Sequence, residues 1–282
     1  MNVINRLFRV PIWQFALATA GSLICAAPAL GEALPACPSR PITFAFYEMG
    51  YMYNTGSGAH STSGEGIDRD LLDELIKRSG CKFDVTEYAR ARTWHELETG
   101  RLDMASAAAE TPARDKFAWF AFYMIGKQYL LLRAEAPASV RTMDDLWADK
   151  RLKLGVVRSF AHGDCFDDYV AKLRAEGRVV DVVDQDALYN AVMAGKVDAI
   201  FGLPFVYPYY FDKYHAAKQL RVLDLDPTPG LKHGIVMSNK TFDEAEAKRW
   251  MALVDGIRRD GTMRKIVLKY LDPVNAERVL NF

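Results

Sequence analysis

The chain has 282 residues, of which 50% are hydrophobic and 26% charged, and its 36 basic and 36 acidic residues give a formal net charge of zero. This length is sufficient for one large domain or two medium domains with a hydrophobic core. The neutral balance, without a stripe of Lys and Arg interleaved with aromatic residues, argues against nucleic acid as a partner.

The first 31 residues have the order of a secretory signal peptide. Arg6 and Arg9 precede an apolar run over 12–27, and small residues follow up to Gly31. The run is shorter than the roughly 20 apolar residues that span a bilayer, so a membrane anchor is the weaker alternative. We therefore expect cleavage near Ala29 or Gly31 and export from the cytoplasm.

The next segment alternates between strands and helices. Apolar residues from Ile67 to Ile76 keep helical spacing, with Lys77 and Arg78 in the last turn and Gly80 just beyond. Buried strands are predicted at 41–48, 82–88 and 102–107, and helices at 67–79 and 93–99. This βαβαβ order predicts parallel strands.

The remainder of the chain repeats this alternation. Strands are predicted at 127–133, 153–157, 179–183, 197–201, 220–225 and 234–238, and helices at 165–176, 187–194 and over the C-terminal region from 242. Two strands, 128–134 and 232–238, are expected to cross between two lobes as a hinge. The predicted lobes are 32–130 plus 233–282, and 131–232.

One phrase occurs twice, as Leu97-Glu-Thr-Gly100-Arg-Leu-Asp103 and as Val192-Met-Ala-Gly195-Lys-Val-Asp198. In each copy Gly is expected to end a helix in the left-handed conformation, and Asp to open a buried strand. Because the same helix-to-strand joint serves both halves, we expect two α/β lobes of similar build with a cleft between them.

Two cysteines precede neighbouring predicted strands. Cys37 comes before the first strand and Cys81 before the second, and parallel neighbours bring such starts together. In an oxidising compartment this predicts a Cys37–Cys81 disulfide, the alternative being two buried free thiols.

Several short motifs are collinear over 43–270. They are Gly66-Ile67-Asp68-Arg69-Asp70-Leu71, the Leu97–Asp103 phrase, Thr111-Pro112-Ala113-Arg114 with Phe117 and Phe120, Gly155-Val156-Val157, Gly195–Phe201 and Asp260-Gly261-Thr262. Together these motifs resemble the extracellular solute-binding proteins of family 3, the receptors of polar amino-acid ABC transporters. The resemblance implies an α/β, two-lobed periplasmic binding protein fold of type II. Each lobe would be a mainly parallel sheet flanked by helices, joined by two hinge strands.

The resemblance also implies a function. A periplasmic receptor of this family captures a small polar solute between its lobes by hinge closure and delivers it to the membrane permease of an ABC transporter. We accordingly expect a monomer that is not an enzyme, with no cofactor, no metal and no catalytic residue. Acidic residues beside His162, over 164–168, are expected to cap a helix rather than to bind a metal.

By the same resemblance, Arg114 is the arginine that binds the carboxylate of the solute, to which a planar guanidinium is well matched. Ligands of open α/β sheets bind outside the carboxyl ends of the strands. Ten further candidates lie at or near such ends: Tyr47, Glu48, Tyr51, Arg90, Ala109, Thr111, Arg158, Ser159, Phe160 and Leu203. We expect Tyr47, Tyr51 and Phe160 to form aromatic walls, and Arg90, Arg92 and Arg158 to supply positive charge.

One expected ligand group is missing. Amino-acid receptors of this family usually carry an Asp soon after the second Gly-x-x-Asp phrase, where it meets the ammonium of the ligand, but here Gly202-Leu203-Pro204 follows. Glu48 or Glu110 is a possible substitute. Two other functions stay open: a periplasmic enzyme on the same fold, such as a cyclohexadienyl dehydratase, with Glu48, Glu110 or His162 as acid or base, and the receptor of a signalling system.

Overall fold

The computed structural model of the protein describes residues 33–55 and 64–282. The predicted signal peptide over 1–31 lies outside the described residues. Within the described part, none of the helices combines the length and the apolar character needed to cross a membrane.

The described chain forms ten strands and nine α-helices. In chain order they are β1 Ile42–Phe46, α1 Ile67–Ser79, β2 Phe83–Glu87, α2 Arg90–Glu98, β3 Met104–Ala109, β4 Ala118–Gly126, β5 Tyr129–Arg133, α3 Met143–Ala148, β6 Leu154–Val157, α4 Asp164–Ala175, β7 Val179–Val182, α5 Gln185–Met193, β8 Ala199–Gly202, α6 Tyr207–Tyr214, β9 Leu220–Leu223, β10 Leu231–Ser238, α7 Glu244–Arg259, α8 Thr262–Val267 and α9 Pro273–Leu280.

These strands form two five-stranded sheets, in the orders β2-β1-β3-β10-β4 and β7-β6-β8-β5-β9. In the first sheet β1 runs parallel to β2 and β3, and β10 runs antiparallel to β3 and β4. The second sheet repeats this arrangement, with β6 parallel to β7 and β8 and β5 antiparallel to β8 and β9. The predicted two-lobed α/β fold is therefore confirmed, and we call the two sheets with their helices the first and second lobe.

The chain passes between the lobes twice. The first crossing, over 127–128, joins β4 to β5, and the second, over 224–230, joins β9 to β10. From the sequence, β5 and β10 themselves were predicted to cross between the lobes. Instead, each of these strands pairs within a single sheet, and the chain crosses in the residues directly before it. Lys127 links the two crossings, since its ammonium lies 2.7 Å from the carboxylate of Asp224.

The strand β4 was not predicted from the sequence. Its segment, Ala-Trp-Phe-Ala-Phe-Tyr-Met-Ile-Gly, is a continuous apolar run without alternation, and such a run does not identify a strand by its periodicity. Two helices, α3 and α6, were also not predicted. The other strands and helices lie within a few residues of their predicted positions, and α7, α8 and α9 occupy the C-terminal region that was predicted to be helical.

The repeated Gly-x-x-Asp phrase makes the same joint in both lobes. Gly100 and Gly195 have φ of 74° and 68°, the left-handed conformation that was predicted to end α2 and α5. The Asp103 carboxylate accepts a hydrogen bond from the backbone N–H of Thr43 in β1 at 2.8 Å. In the second lobe, the Asp198 carboxylate accepts one from the N–H of Lys153, just before β6, also at 2.8 Å.

Covalent and apolar contacts complete the fold. Cys37 and Cys81 form the predicted disulfide, with their Cα atoms 5.1 Å apart. One buried apolar cluster contains residues of both lobes, such as Met49 after β1 and Phe205 after β8. Gly50 lies so close to the second lobe that a β-carbon on it would be 3.2 Å from the β-carbon of Tyr209. The lobes are therefore in direct contact.

Candidate functional site

Arg114 lies where the two lobes meet, in the turn that follows β3. Its Nη1 donates a hydrogen bond to the carbonyl of Ala109 in the first lobe at 2.6 Å, and its Nη2 donates to the carbonyl of Ser159 in the second lobe at 2.8 Å. The guanidinium carbon is 3.9 Å from the ring centroid of Trp94. Burial, followed by the charge of Arg90, lowers the pKa of Arg114 to about 9, so the group is still cationic at neutral pH.

A second arginine, Arg90, is buried beside it at the start of α2, with 3% of its surface exposed. It donates hydrogen bonds to the carbonyls of Ser106, at 3.4 Å, and Ala107. Three aromatic rings surround its guanidinium carbon, with centroid distances of 4.8 Å for Tyr47, 5.6 Å for Trp94 and 5.5 Å for Phe160. Because Phe160 follows β6, this cation contacts both lobes, and its burial lowers the pKa of Arg90.

The backbone that faces these arginines is strained. Ala107 and Ser159 have φ of 50° and 64°, in the left-handed region that residues with a β-carbon rarely adopt. Such conformations cost about 1–3 kcal/mol and cluster at functional sites. Here the carbonyl of Ala107 accepts a hydrogen bond from Arg90, and that of Ser159 accepts one from Arg114. The strained residues therefore help to position both guanidinium groups.

A buried carboxyl group lies behind Arg90. The hydroxyl of Tyr123 donates to Asp68 at 2.5 Å and accepts from the backbone N–H of Ala107 at 3.0 Å. Burial raises the pKa of Asp68 to about 7, against the opposing effects of the Tyr123 hydrogen bond and the Arg90 charge. Asp68 is thus only partly ionised near neutral pH, and it does not fully balance the charge of Arg90.

Two buried histidines also belong to this region. Burial, followed by repulsion from Arg114, lowers the pKa of His162 to about 3, and burial together with Arg90 does the same for His233. Both rings are therefore neutral at physiological pH. The His162 Nδ1 atom is buried and has no hydrogen-bond partner among the described residues.

The acidic residues near Tyr47 form a separate group. Asp186 is bound by the Lys213 ammonium at 2.8 Å and by the Tyr214 hydroxyl at 3.1 Å. Asp184 caps α5 by accepting from the N–H of Ala187 at 2.7 Å. Glu48 is half-buried, and burial, then repulsion from Asp186, raises its pKa.

The structure brings together six of the residues predicted for the site: Tyr47, Arg90, Ala109, Arg114, Ser159 and Phe160. Thr111 shapes the turn that carries Arg114, whose N–H donates to the Thr111 carbonyl at 2.9 Å. Leu203 lines a cavity of about 10 Å³ beside Phe160, which has room for about one water molecule.

Other predicted residues lie apart from this group. The side chain of Arg158 is exposed, and that of Arg92 stacks on Tyr88, 4.0 Å from its ring centroid. Tyr51 packs edge-on against Tyr209 at 5.5 Å. In the predicted helix cap, Asp167 accepts from the N–H of His162 at 3.1 Å. No cluster of three or more metal-ligating side chains is found in residues 33–55 and 64–282.

Trp94 and His233 were not predicted as site residues, and His162 was named only as an acid or base for the alternative enzyme. Trp94 lies inside α2, where its spacing is that of a core residue, and His233 lies in an apolar strand. The sequence does show that Trp94 follows Arg90 by four residues, which places both on one face of a helix.

Larger cavities, of about 330 and 520 Å³, lie among the C-terminal helices and beside the crossings, and neither is lined by Arg90 or Arg114.

The two-lobed fold, with cations and aromatic rings at the boundary of the lobes, is that of a binding protein for small solutes. The chain belongs to the bacterial extracellular solute-binding proteins, family 3, whose family model matches residues 46–273. A search of curated proteins gave no match.

Solved structures share the fold at low sequence identity. The arginine-, lysine-, histidine-binding protein ArtJ from Geobacillus stearothermophilus is 19% identical, with a TM-score of 0.66 over 82% of this chain and 95% of that chain. A histidine kinase sensor domain similar to periplasmic binding proteins is 15% identical, with a TM-score of 0.68 over 86% and 97%. The ancestral amino acid-binding protein AncCDT-1, a precursor of cyclohexadienyl dehydratase, is 19% identical, with a TM-score of 0.66 over 82% and 96%.

Proposed function

We propose that this protein is the periplasmic receptor of an ABC importer and captures a small, polar, carboxylate-bearing solute between its lobes by hinge closure. Family membership and the amino-acid-binding relatives in the same fold support a receptor role. The proposal includes an exported monomer that delivers its solute to a membrane permease. Its lobes would be 32–130 plus 233–282, and 131–232, and these bounds lie a few residues after the two crossings between the sheets.

The observation that carries this proposal is the position of Arg114. A guanidinium group that reaches both lobes, and that is hydrogen-bonded to backbone carbonyls rather than to a carboxylate, can bind an incoming carboxylate and hold the lobes around it. A polar solute that leaves water needs such charge-assisted hydrogen bonds to offset its desolvation.

Replacing Arg114 tests the proposal directly. A thermal-shift screen of amino acids, small organic acids and amines first finds the solute, because a ligand at 100 times its dissociation constant stabilises a protein by about 2.7 kcal/mol. We expect Arg114→Ala to weaken binding of that solute at least 100-fold by calorimetry. Arg101→Ala is the matched control, since Arg101 is an exposed arginine before the opposite end of β3. Equal affinities of the Arg114 variant and the wild type would contradict the proposal.

A receptor that reports to a membrane sensor is the second candidate, because a histidine kinase sensor domain has the same fold. Binding in the cleft would be the same, and the partner would differ. Co-purification with a permease, rather than with a sensor, separates the two roles. An enzyme on this fold would turn over prephenate or arogenate, and we expect the purified protein to convert neither.

A further inference from the structure

We propose that the solute is a small dianion without an ammonium group, either a dicarboxylate or a phosphate-type oxyanion, bound by Arg90 and Arg114 together. This inference rests on the receptor role of the proposed function and names the class of solute. Binding of phosphate would keep that role but replace the carboxylate of the proposed solute. It departs from the α-amino acids that are expected from the resemblance alone.

The first argument compares the buried arginines of the protein. Arg178 in the second lobe uses all five of its N–H donors, on four backbone carbonyls and the carboxylate of Glu176. The guanidinium groups of Arg90 and Arg114 each donate only two hydrogen bonds within the described part of the chain, all to carbonyls. Arg178 is therefore a satisfied structural arginine, whereas the other two keep donors for a ligand.

The second argument is the convergence of positive charge. Arg90 and Arg114 lie over the same Trp94 ring, at 5.6 and 3.9 Å, and both bond to carbonyls at the end of β3. In residues 33–55 and 64–282 neither guanidinium forms an ion pair, and the charges of Asp68 and Asp167 act on Arg90 and Arg114 without a hydrogen bond to them. Two adjacent cations without a bonded carboxylate favour a ligand that brings negative charge to each of them.

The third argument comes from the neighbouring histidine. His162 is 6% exposed, and its ring centroid lies 5.6 Å from that of Phe160, which itself contacts Arg90. Its Nδ1 atom has no hydrogen-bond partner among the described residues. This buried polar atom borders the site from the second lobe and is available to a polar ligand.

The fourth argument is the lack of a group to receive an ammonium. The second Gly-x-x-Asp phrase is followed by Gly202-Leu203-Pro204 rather than by the acid that amino-acid receptors usually carry there, and Leu203 is buried. Asp186 is already paired with Lys213, and Asp184 caps a helix. Glu48 and Glu110 are the remaining candidates, and the burial that raises the pKa of each carboxyl group disfavours its charged form.

Calorimetry with matched pairs of ligands tests the inference on the full-length exported protein. Succinate and L-aspartate, and glutarate and L-glutamate, differ by one ammonium group, inorganic phosphate represents the oxyanions, and L-arginine represents cationic amino acids. We expect either a dicarboxylate or phosphate to bind at least tenfold more tightly than every amino acid in the set. The member of the set that binds identifies the source of the dianion.

Variants then test the role of Arg90. Arg90→Lys keeps the charge but loses the planar donors, and we expect it to weaken dianion binding at least tenfold while Arg101→Ala has no effect. The melting temperature of each variant shows whether it is folded. If the Arg90→Lys variant does not fold, the Arg90→Gln variant takes its place in the binding measurement. We expect the Glu48→Gln variant to bind the dianion with the same affinity as the wild type or with a higher one.

The outcomes separate this inference from the proposed function. If L-aspartate, L-glutamate or L-arginine binds more tightly than the dianions, or if Glu48→Gln abolishes binding, the inference is wrong and the receptor function stands. If no carboxylate or phosphate binds, and no solute in the thermal-shift screen stabilises the protein, both are wrong.

Discussion

At the scale of single residues, Asp68 connects the binding site to the protonation state of the protein. Its carboxyl group is fully buried, is bonded to Tyr123, and lies near the Arg90 guanidinium. A buried carboxylate is costly unless charges and hydrogen bonds compensate it. The two bonds of the Tyr123 hydroxyl then link this carboxyl group to the strained backbone of Ala107.

We predict that Asp68 makes the protein less stable as the pH rises from about 4 to about 7. The pKa of Asp68 is about 7 in the folded state, against about 3.9 in an unfolded chain. Between these values the folded state binds more protons, so the free energy of unfolding falls with increasing pH by up to about 1.4 kcal/mol per unit.

Denaturant unfolding at several pH values measures this effect. Asp68→Asn removes the titrating group and should flatten the slope between pH 5 and 7. Asp73→Asn, at an exposed position of the same helix, should keep the slope of the wild type. A slope that is unchanged in Asp68→Asn would show that another group titrates there.

At the scale of elements, the repeated helix-to-strand joint fixes neighbouring strands by means of its aspartate. Asp103 is buried and accepts hydrogen bonds from the backbone and hydroxyl of Thr43 and from Arg40. Burial alone would raise its pKa, but the bonds from Arg40 and Thr43 outweigh this effect and lower it. Asp198 makes the corresponding single bond to Lys153.

We therefore predict unequal costs for the same substitution in the two copies. Asp103→Ala should lower the free energy of unfolding by about 3 kcal/mol, since it leaves several donors of the first lobe without a partner. Asp198→Ala should cost about 1 kcal/mol, the typical net value of one hydrogen bond. Urea unfolding of both variants provides the measurement, and a larger loss in Asp198→Ala would contradict this account of the joint.

The elements also show what a sequence can predict. Gly100, Gly195 and the end of α1 at Gly80 carry local signals, so their conformations follow from neighbouring residues. The strand β4 becomes a strand because β10 returns from the second lobe to pair with it, and this pairing depends on residues about 110 positions away. Trp94 and His162 lie only four and two residues after Arg90 and Phe160, but long-range packing brings these two pairs together, since the Phe160 ring of the second lobe lies against the Arg90 guanidinium of the first.

At the scale of the whole molecule, the Cys37–Cys81 disulfide ties the N-terminal segment to the start of β2. The bond closes a loop with a sequence separation of 44 residues. Cross-links of this size restrict the unfolded chain and, in the chain-entropy model, stabilise the folded state by about 4 kcal/mol.

We predict that the double substitution Cys37→Ser/Cys81→Ser lowers the free energy of unfolding by about 2–4 kcal/mol and leaves solute binding unchanged, because the disulfide lies away from the Arg114 turn. Thermal unfolding of the oxidised wild type, the reduced wild type and the variant measures the loss. Cys165→Ser, at the exposed free cysteine, is the control. Equal melting temperatures for all the proteins would contradict a stabilising role.

The contacts of Arg90 with both lobes have a further consequence, for the speed of capture. Arg90 is 3% exposed, and its guanidinium lies between Tyr47 and Trp94 of one lobe and Phe160 of the other. In the receptor that we propose, a solute would reach Arg90 only after these rings separate, a domain motion that typically takes microseconds to milliseconds. The rate of lobe opening therefore sets an upper limit on the rate of uptake into the site. At high solute concentration, capture would become independent of how much solute is present.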